Sequence, residues 1–368
     1  PVNGGAARIV KRPDGFRFSG VRWSPDGRYV AMMADAPTGL ELWAVDVSAA
    51  AAKRLSGPVL NAAFGVSYSW RPDSSGLMAL VIPSNRGPAP SSAYVPEGPS
   101  VQESLGRAAP VRTYQDLLKN ARDEALFAHY FTSQIAFVPL DGSGPKRAGA
   151  PAVISMADLS PNGRYILQRQ LQRPFSYAVP ANLFAAKTVV TDLSGAVVYT
   201  AADLPVLDNI PTPFDSTYVG PRSIQWRSDA DATLAWVEAQ DGGDSKREAA
   251  VRDTVFQLAA PFIGTKAKFI DLPHRLQSIM WGRKDYAIVV SQWWQTRTET
   301  RFAVDPSGAA TPRQLLQRNF QDRYNDPGAP LLRTDERGRG VLHFTSGGDA
   351  LLVAGDGAKR EGEFPFLD

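Results

Sequence analysis

The stretch VRWSPDGRYVA, residues 21–31, decides the fold of this 368-residue chain. An apolar and aromatic segment precedes a tight polar turn, and a second apolar segment follows it. Pro25 presets φ at the first turn position, Asp26 suits the next, and Gly27 takes the positive φ. Aromatic and β-branched residues on both sides suit half-buried strand faces. The stretch therefore predicts a β-hairpin.

The same pattern recurs along the chain, as YSWRPDSSGLM at 68–78, ADLSPNGRYIL at 157–167, IQWRSD at 224–229 followed by LAWV at 234–237, and IMWGRKDYAIV at 279–289. Further strand-like segments follow each copy. Four strands per repeat, arranged radially, are typical of an all-β fold of the β-propeller class. The pattern indicates about five blades and the beginning of a sixth near residues 340–353. We expect the natural polypeptide to continue beyond Asp368, because an unfinished blade leaves an unsealed edge.

Composition excludes several classes of protein. The chain carries 40 basic and 37 acidic residues without a basic cluster, which argues against a nucleic-acid surface. It has no cysteine, so disulfides and thiolate zinc sites are absent. No apolar run approaches the length of a membrane span. His129, His274 and His343 show no metal-binding spacing, and we predict neither a metal nor a cofactor.

Two long segments interrupt the repeat. Residues 84–133 begin with a loop rich in Pro, Gly and Ser, and then become helical by spacing over 113–120 and 123–131. Residues 169–184, RQLQRPFSYAVPANLF, form the second connection. Long insertions on a propeller usually lie on one face and line a binding site.

Several short stretches are distinctive: PEGP at 96–99, RTYQDLL at 112–118, WVEAQDGGD at 236–244, RD at 252–253, APF at 260–262 and RYNDPG at 323–328. They resemble the glutamyl endopeptidase branch of the prolyl oligopeptidase family of serine peptidases. The resemblance extends in consistent order from about Gly20 to Asp368. It implies a seven-bladed propeller that caps an α/β-hydrolase domain carrying a Ser-Asp-His triad.

The chain contains no G-x-S-x-G motif, so the family's catalytic residues map to no position here. We therefore expect residues 1–368 to form a propeller domain, incomplete at its C-terminus, with insertion 84–133. The hydrolase domain is expected beyond residue 368. The chain alone is predicted to be inactive, with peptide substrates and that hydrolase domain as its partners.

Asp123 and Glu124 lie in the predicted insertion helix. Dipeptidyl peptidases of the same superfamily hold the substrate's amino terminus with an acidic pair on a comparable insertion, through charge-assisted hydrogen bonds. The alternative is a capped, solvated helix start, because carboxylates favour the N-terminal end of the helix dipole. Adjacent helical residues also point in different directions, which favours the alternative.

An endopeptidase specific for acidic residues needs a cation, and the planar fork of arginine matches a carboxylate. The candidates in the two long segments and before a repeat hairpin are Arg112, Arg122, Arg169, Arg173 and Arg222. Each has the alternative of an ordinary surface ion pair, and the hydrolase domain is another source of the cation. The sequence DGGD at 241–244 favours a hairpin turn over a calcium loop.

The sequence thus predicts the non-catalytic propeller part of a serine endopeptidase, which gates and binds peptides cleaved after Glu or other acidic residues. One alternative is a stand-alone propeller that binds proteins or ligands. A second is part of a dipeptidyl- or acylaminoacyl-peptidase-like exopeptidase. By the resemblance, and not by its residues, the protein is expected in the bacterial periplasm or secreted.

Overall fold

The predicted hairpins recur in the computed structural model, which describes residues 9–10, 15–91 and 114–368. The chain divides into two compact units. Most of the first is formed by residues up to 206, and most of the second by residues from 207 onward.

The first sheet of the first unit has four antiparallel strands in sequential order. They are β1 (Arg17–Trp23), β2 (Tyr29–Ala36), β3 (Gly39–Asp46) and β4 (Ala51–Arg54). Ser24 Oγ donates to Asp26 Oδ1 at 2.6 Å and accepts from Tyr29 N at 2.9 Å, which closes the turn. Gly27 has φ +69°, as the turn chemistry predicts.

The second sheet has seven strands, because two four-stranded repeats share one long strand. Its strands are β5 (Tyr68–Trp70), β6 (Gly76–Val81), β7 (Thr132–Pro139), β8 (Lys146–Leu159), β9 (Tyr165–Leu171), β10 (Ala186–Asp192) and β11 (Val197–Leu204). The first part of β8 pairs with β7 and the second part with β9, with Val153 paired to both. Helix α1 (Ala121–Phe131) lies between β6 and β7, and a 3-10 turn (Ala181–Leu183) lies between β9 and β10.

Strand β6 shows how the sheets of the first unit pack. Leu77 belongs to a core shared with the first sheet, around Leu42 and Leu60. Its neighbour Met78 belongs to the next core, with Ile166. Successive strand residues point to opposite faces, so β6 is covered on both faces. A four-stranded repeat packed between two neighbouring repeats is the arrangement expected of a propeller blade.

The second unit contains two further four-stranded antiparallel sheets. One is formed by β12 (Arg222–Trp226), β13 (Thr233–Ala239), β14 (Asp253–Ala259) and β15 (Ala267–Leu272). The other is formed by β16 (Arg275–Arg283), β17 (Tyr286–Trp293), β18 (Thr298–Val304) and β19 (Arg313–Asn319). Val255, Leu272 and Val289 pack between the two sheets.

Short strands complete the second unit: β20 (Ala329–Pro330), β21 (Leu332–Thr334), β22 (Gly340–Leu342), β23 (Val353–Gly355), β24 (Ala358–Lys359), β25 (Gly362–Glu363) and β26 (Phe366–Leu367). Leu342 of β22 packs against Ile288 and Val290 of β17. The stretch 340–353, predicted to open a further blade, thus contains β22 and only the first residue of β23. The all-β propeller class is confirmed, and the number of blades stays a prediction.

Two local predictions differ from the structure. Residues 114–120, predicted to be helical, are irregular, because Asn120 caps a helix that begins only at Ala121 and Asp116 has φ +55°. Residue 113 and residues 92–112 of the insertion lie outside the described part. The DGGD turn lies within the long connection 240–252, not in a tight hairpin. The reason is that Asp241 is buried and paired with arginines.

Candidate functional site

The start of helix α1 determines the environment of the predicted acidic pair. Asn120 Oδ1 accepts a hydrogen bond from Asp123 N at 2.8 Å, and the Asp123 carboxylate accepts from Lys119 N at 3.0 Å. These contacts satisfy backbone donors that a helix start otherwise leaves unpaired. Asp123 therefore serves the helix start, which is the alternative that the sequence favoured. Its role toward a substrate stays a prediction.

Glu124 points instead toward the second long connection. Its Oε1 accepts from Arg173 Nη1 at 2.8 Å, and its Oε2 accepts from the Tyr177 hydroxyl at 3.0 Å. The Glu124 side chain is 19% exposed and that of Arg173 is 57% exposed. The structure thus brings together two predicted site residues from segments far apart in sequence. Because their charges neutralise each other, neither is a free ligand for a substrate in this conformation.

Aromatic packing holds α1 against the same connection. The ring centroid of Phe127 lies 4.4 Å from Phe131, 4.9 Å from Phe175 and 5.7 Å from Phe184. Phe64, in the loop before β5, lies 4.7 Å from Phe131. Aromatic pairs of this kind stabilise beyond the area they bury, so the helix and the connection form one packed surface.

The other predicted arginines of the first unit have different environments. Arg169 Nη2 donates to Asn182 O at 3.0 Å and its Nη1 donates to Ser155 Oγ at 3.2 Å, so it braces the connection. Arg122 is exposed on α1 and has no partner among the described residues. Arg112 lies outside the described residues.

Arg222 belongs to a cluster of ion pairs in the second unit. Asp253 Oδ1 accepts from Arg222 Nη2 at 2.6 Å and from Arg275 Nη1 at 2.9 Å. Asp241 Oδ2 accepts from Arg275 Nη2 at 2.7 Å and from Arg252 Nη1 at 3.1 Å. Both carboxylate side chains are fully buried. We call these five residues the arginine–aspartate cluster.

The electrostatics of the cluster favour ionised carboxylates. Burial alone raises the pKa of Asp241, but hydrogen bonds from Arg275 and Arg252 outweigh it and hold the pKa below its ordinary value. A cavity of about 250 Å³ borders the cluster and is lined by Arg222, Arg275, Gln277 and Trp294, among others. Since Arg222 is already paired with a buried aspartate, it is first of all a structural residue.

A second cavity, of about 280 Å³, lies wholly within the first unit. Its lining includes Arg22 of β1, Ser69 of β5, and residues 154–158 of β8, together with Phe64 and Phe131. Arg22 was not among the site residues predicted from sequence, although it stands in the first repeat. The repeat offered no signal for it, since the matching positions of the other repeats carry Ser69, Asp158, Gln225 and Met280, which share no residue type.

The fold is similar to that of a solved prolyl endopeptidase, with a TM-score of 0.51 and 11% sequence identity. The superposition covers 99% of this chain and 45% of the other. The fold thus defines the chain as a β-propeller of the type that such enzymes contain.

Two curated plant proteins, each named a probable glutamyl endopeptidase, chloroplastic, match nearly the whole chain. The rice protein is 37% identical over 97% of this chain, and that of Arabidopsis thaliana is 36% identical over 98%. These matches confirm the predicted resemblance to the propeller portion of the glutamyl endopeptidase branch of the prolyl oligopeptidase family. The chain spans 39% of the length of each relative. No family model matches the chain.

The structure and the relatives also bear on metal binding, membrane insertion and cellular location. Within the described ranges, no group of three or more His, Cys, Asp or Glu side chains is placed to hold a metal ion. No helix in the described part is long and apolar enough to cross a membrane. A periplasmic or secreted location gains no support, because the plant relatives are named chloroplastic.

Proposed function

We propose that this chain is the non-catalytic propeller part of a serine endopeptidase, and that it binds and gates peptides for a separate α/β-hydrolase domain. The observation that carries the proposal is the match of 97% of the chain to 39% of a probable glutamyl endopeptidase. Acyl transfer in that class needs a serine, a base and an orienting acid. With no G-x-S-x-G motif in the chain, the nucleophile must come from outside these residues.

Cleavage after glutamate is the specificity that we propose, in keeping with the names of the two relatives. A rival is release of dipeptides, which needs a free acidic pair for the substrate's amine. The dipeptidyl-peptidase hypothesis is weakened because neither acidic side chain is free: Glu124 is bound by Arg173 and Tyr177, and Asp123 bonds to the backbone at the helix start. A stand-alone binding propeller is the other rival, and it predicts no peptidase activity in any natural form of the protein.

A fluorophosphonate probe tests the proposal, because it reacts covalently with an activated serine. The 368-residue chain, of mass 39.8 kDa, should stay unlabelled, and the natural protein should be labelled and should cleave a peptide after Glu. Intact mass and a peptide digest read out both results. Labelling of the 368-residue chain alone, or an unlabelled and inactive natural protein, would contradict the proposal.

A further inference from the structure

The 280 Å³ cavity of the first unit lies along the first strands of three successive repeats. β1 contributes Arg22, β5 contributes Tyr68 and Ser69, and β8 contributes residues 154–158. Its volume approaches the lower end of the range typical of small-ligand pockets, about 300 Å³. It is large enough for one amino-acid side chain and its neighbouring backbone.

Among the described residues that line this cavity, Arg22 is the only Lys or Arg. Its side chain is exposed, and its guanidinium carbon lies 5.9 Å from the centroid of the Tyr68 ring. No carboxylate of the described residues forms an ion pair with it, whereas Arg173 and Arg222 each have one. Arg22 is therefore an exposed cation beside the cavity, and no salt bridge to another described residue has to break before a ligand binds it.

The wall of the cavity supplies apolar surface beside this cation. Val66, Met78 and Ile154 supply apolar contacts. Apolar contacts and one cation together suit an aliphatic stem that ends in a carboxylate.

We propose that this cavity receives the glutamate side chain of an extended peptide, with Arg22 as the cation that binds its carboxylate. The inference rests on the proposed function, and it makes Arg22 a specificity-determining residue. Asp158 also lines the cavity and carries its own interaction. Its negative charge opposes a bound carboxylate, so the preference for glutamate depends on the attraction of Arg22 outweighing that repulsion.

The test measures binding, so that it does not depend on catalysis. Two fluorescent peptides that differ only in one Glu or Gln are titrated against the natural protein, after fluorophosphonate treatment to block any reactive serine. The wild type should bind the Glu peptide about tenfold more tightly, the worth of one charge-assisted contact. Arg22→Gln should remove this preference, and Arg22→Lys should keep part of it, because lysine retains the charge without the planar fork.

Arg28→Gln is the matched control. Arg28 is also exposed and also lies over an aromatic ring, 5.7 Å from the centroid of Tyr29, but it is outside the cavity lining. This variant should keep the Glu preference, and thermal midpoints should show that all variants are folded. An unchanged preference in Arg22→Gln, or no binding of either peptide, overturns the inference.

The two proposals fail in different ways. If the Arg22→Gln protein cleaves the Glu and Gln peptides at the same ratio of rates as the wild type, the proposed function is supported and the role of Arg22 is contradicted. If the protein cleaves no peptide but its preference for the Glu peptide depends on Arg22, the proposed cavity is supported and the proposed peptidase function is contradicted.

Discussion

The arginine–aspartate cluster shows how burial changes the contribution of a single charged side chain to stability. The Asp241 carboxylate is inaccessible to solvent, and the side chain of its partner Arg275 is 10% exposed. The attraction between two buried charges offsets their lost hydration energy only if both charges are fully paired and hydrogen-bonded. Asp241 and Asp253 each accept hydrogen bonds from two arginines, so the buried charges are fully paired only when all five residues are present.

Replacing Asp241 by Asn should therefore cost about 3–5 kcal/mol, because it leaves buried guanidinium charge without its counter-ion. Urea denaturation measures the change in the free energy of unfolding. Asp203→Asn is the control, since Asp203 is 63% exposed in its pair with Lys187 and should change stability by less than about 0.5 kcal/mol. Equal effects of the two substitutions would show that the buried cluster has no special role.

His274 provides a pH-dependent contribution at the same scale. Burial lowers its pKa from the ordinary 6.5, Asp215 opposes this and Arg252 adds to it. Its Nδ1 is buried without a partner among the described residues, and its ring stacks on Trp293 at 5.8 Å. The unfolded chain takes up a proton near pH 6.5 that the folded chain resists, so this contribution is present above pH 6.5 and is lost as the pH falls below it.

We expect His274→Phe to flatten this part of the stability profile, because phenylalanine keeps the stacking and does not titrate. The midpoint of urea unfolding, followed from about pH 7.5 to 5, should fall in the wild type and fall less in the variant. Parallel profiles in the two proteins would assign the pH dependence to other groups.

At the scale of elements, β8 links two repeats and passes very close to the turn between β10 and β11. Gly149 N of β8 donates to Ser194 O at 3.0 Å. Gly195 has φ +94°, and a Cβ there would lie 2.6 Å from Gly149 N and closer still to Gly149 Cα. Because both of these atoms are backbone, no side chain can move away to make room.

Gly195→Ala should therefore destabilise the protein well beyond the strain of a positive φ alone. Gly144→Ala isolates that strain, since Gly144 has φ +89° and an added Cβ would meet no heavy atom within 4 Å. We expect the free energy of unfolding to fall by about 1–2 kcal/mol in Gly144→Ala and by at least about 2 kcal/mol more in Gly195→Ala. Thermal and urea unfolding measure both, and equal losses would mean that β8 can shift without cost.

At the scale of the whole molecule, the proposed gate concerns the size of the substrate. If the propeller restricts access to a hydrolase domain, the natural protein should cut an unfolded polypeptide much faster than the same polypeptide when folded, while short Glu peptides are cut freely. A disulfide-bonded substrate, compared before and after reduction, provides this pair, with mass spectrometry to locate the cuts. Equal rates on both forms would rule out gating by size.

Much of this architecture could be predicted from sequence. Each of the five recognised repeats corresponds to the first two strands of a four-stranded repeat, because turn chemistry and strand alternation are local properties. Helix α1 was placed within a few residues for the same reason. The irregular stretch 114–120 was missed, since its apolar spacing alone does not show that Asn120 is the cap.

The sequence by itself determined the strands, the hairpins, the insertion and the resemblance to a peptidase propeller. Only the tertiary structure decided which charges are already paired. Glu124 and Arg173 are 49 residues apart, and the partners in the arginine–aspartate cluster are up to 34 residues apart. It also showed that Arg22 has no acidic partner among the described residues while lining a cavity. Electrostatic pairing depends on distance in space and on burial, and neither is written in the local pattern of residues.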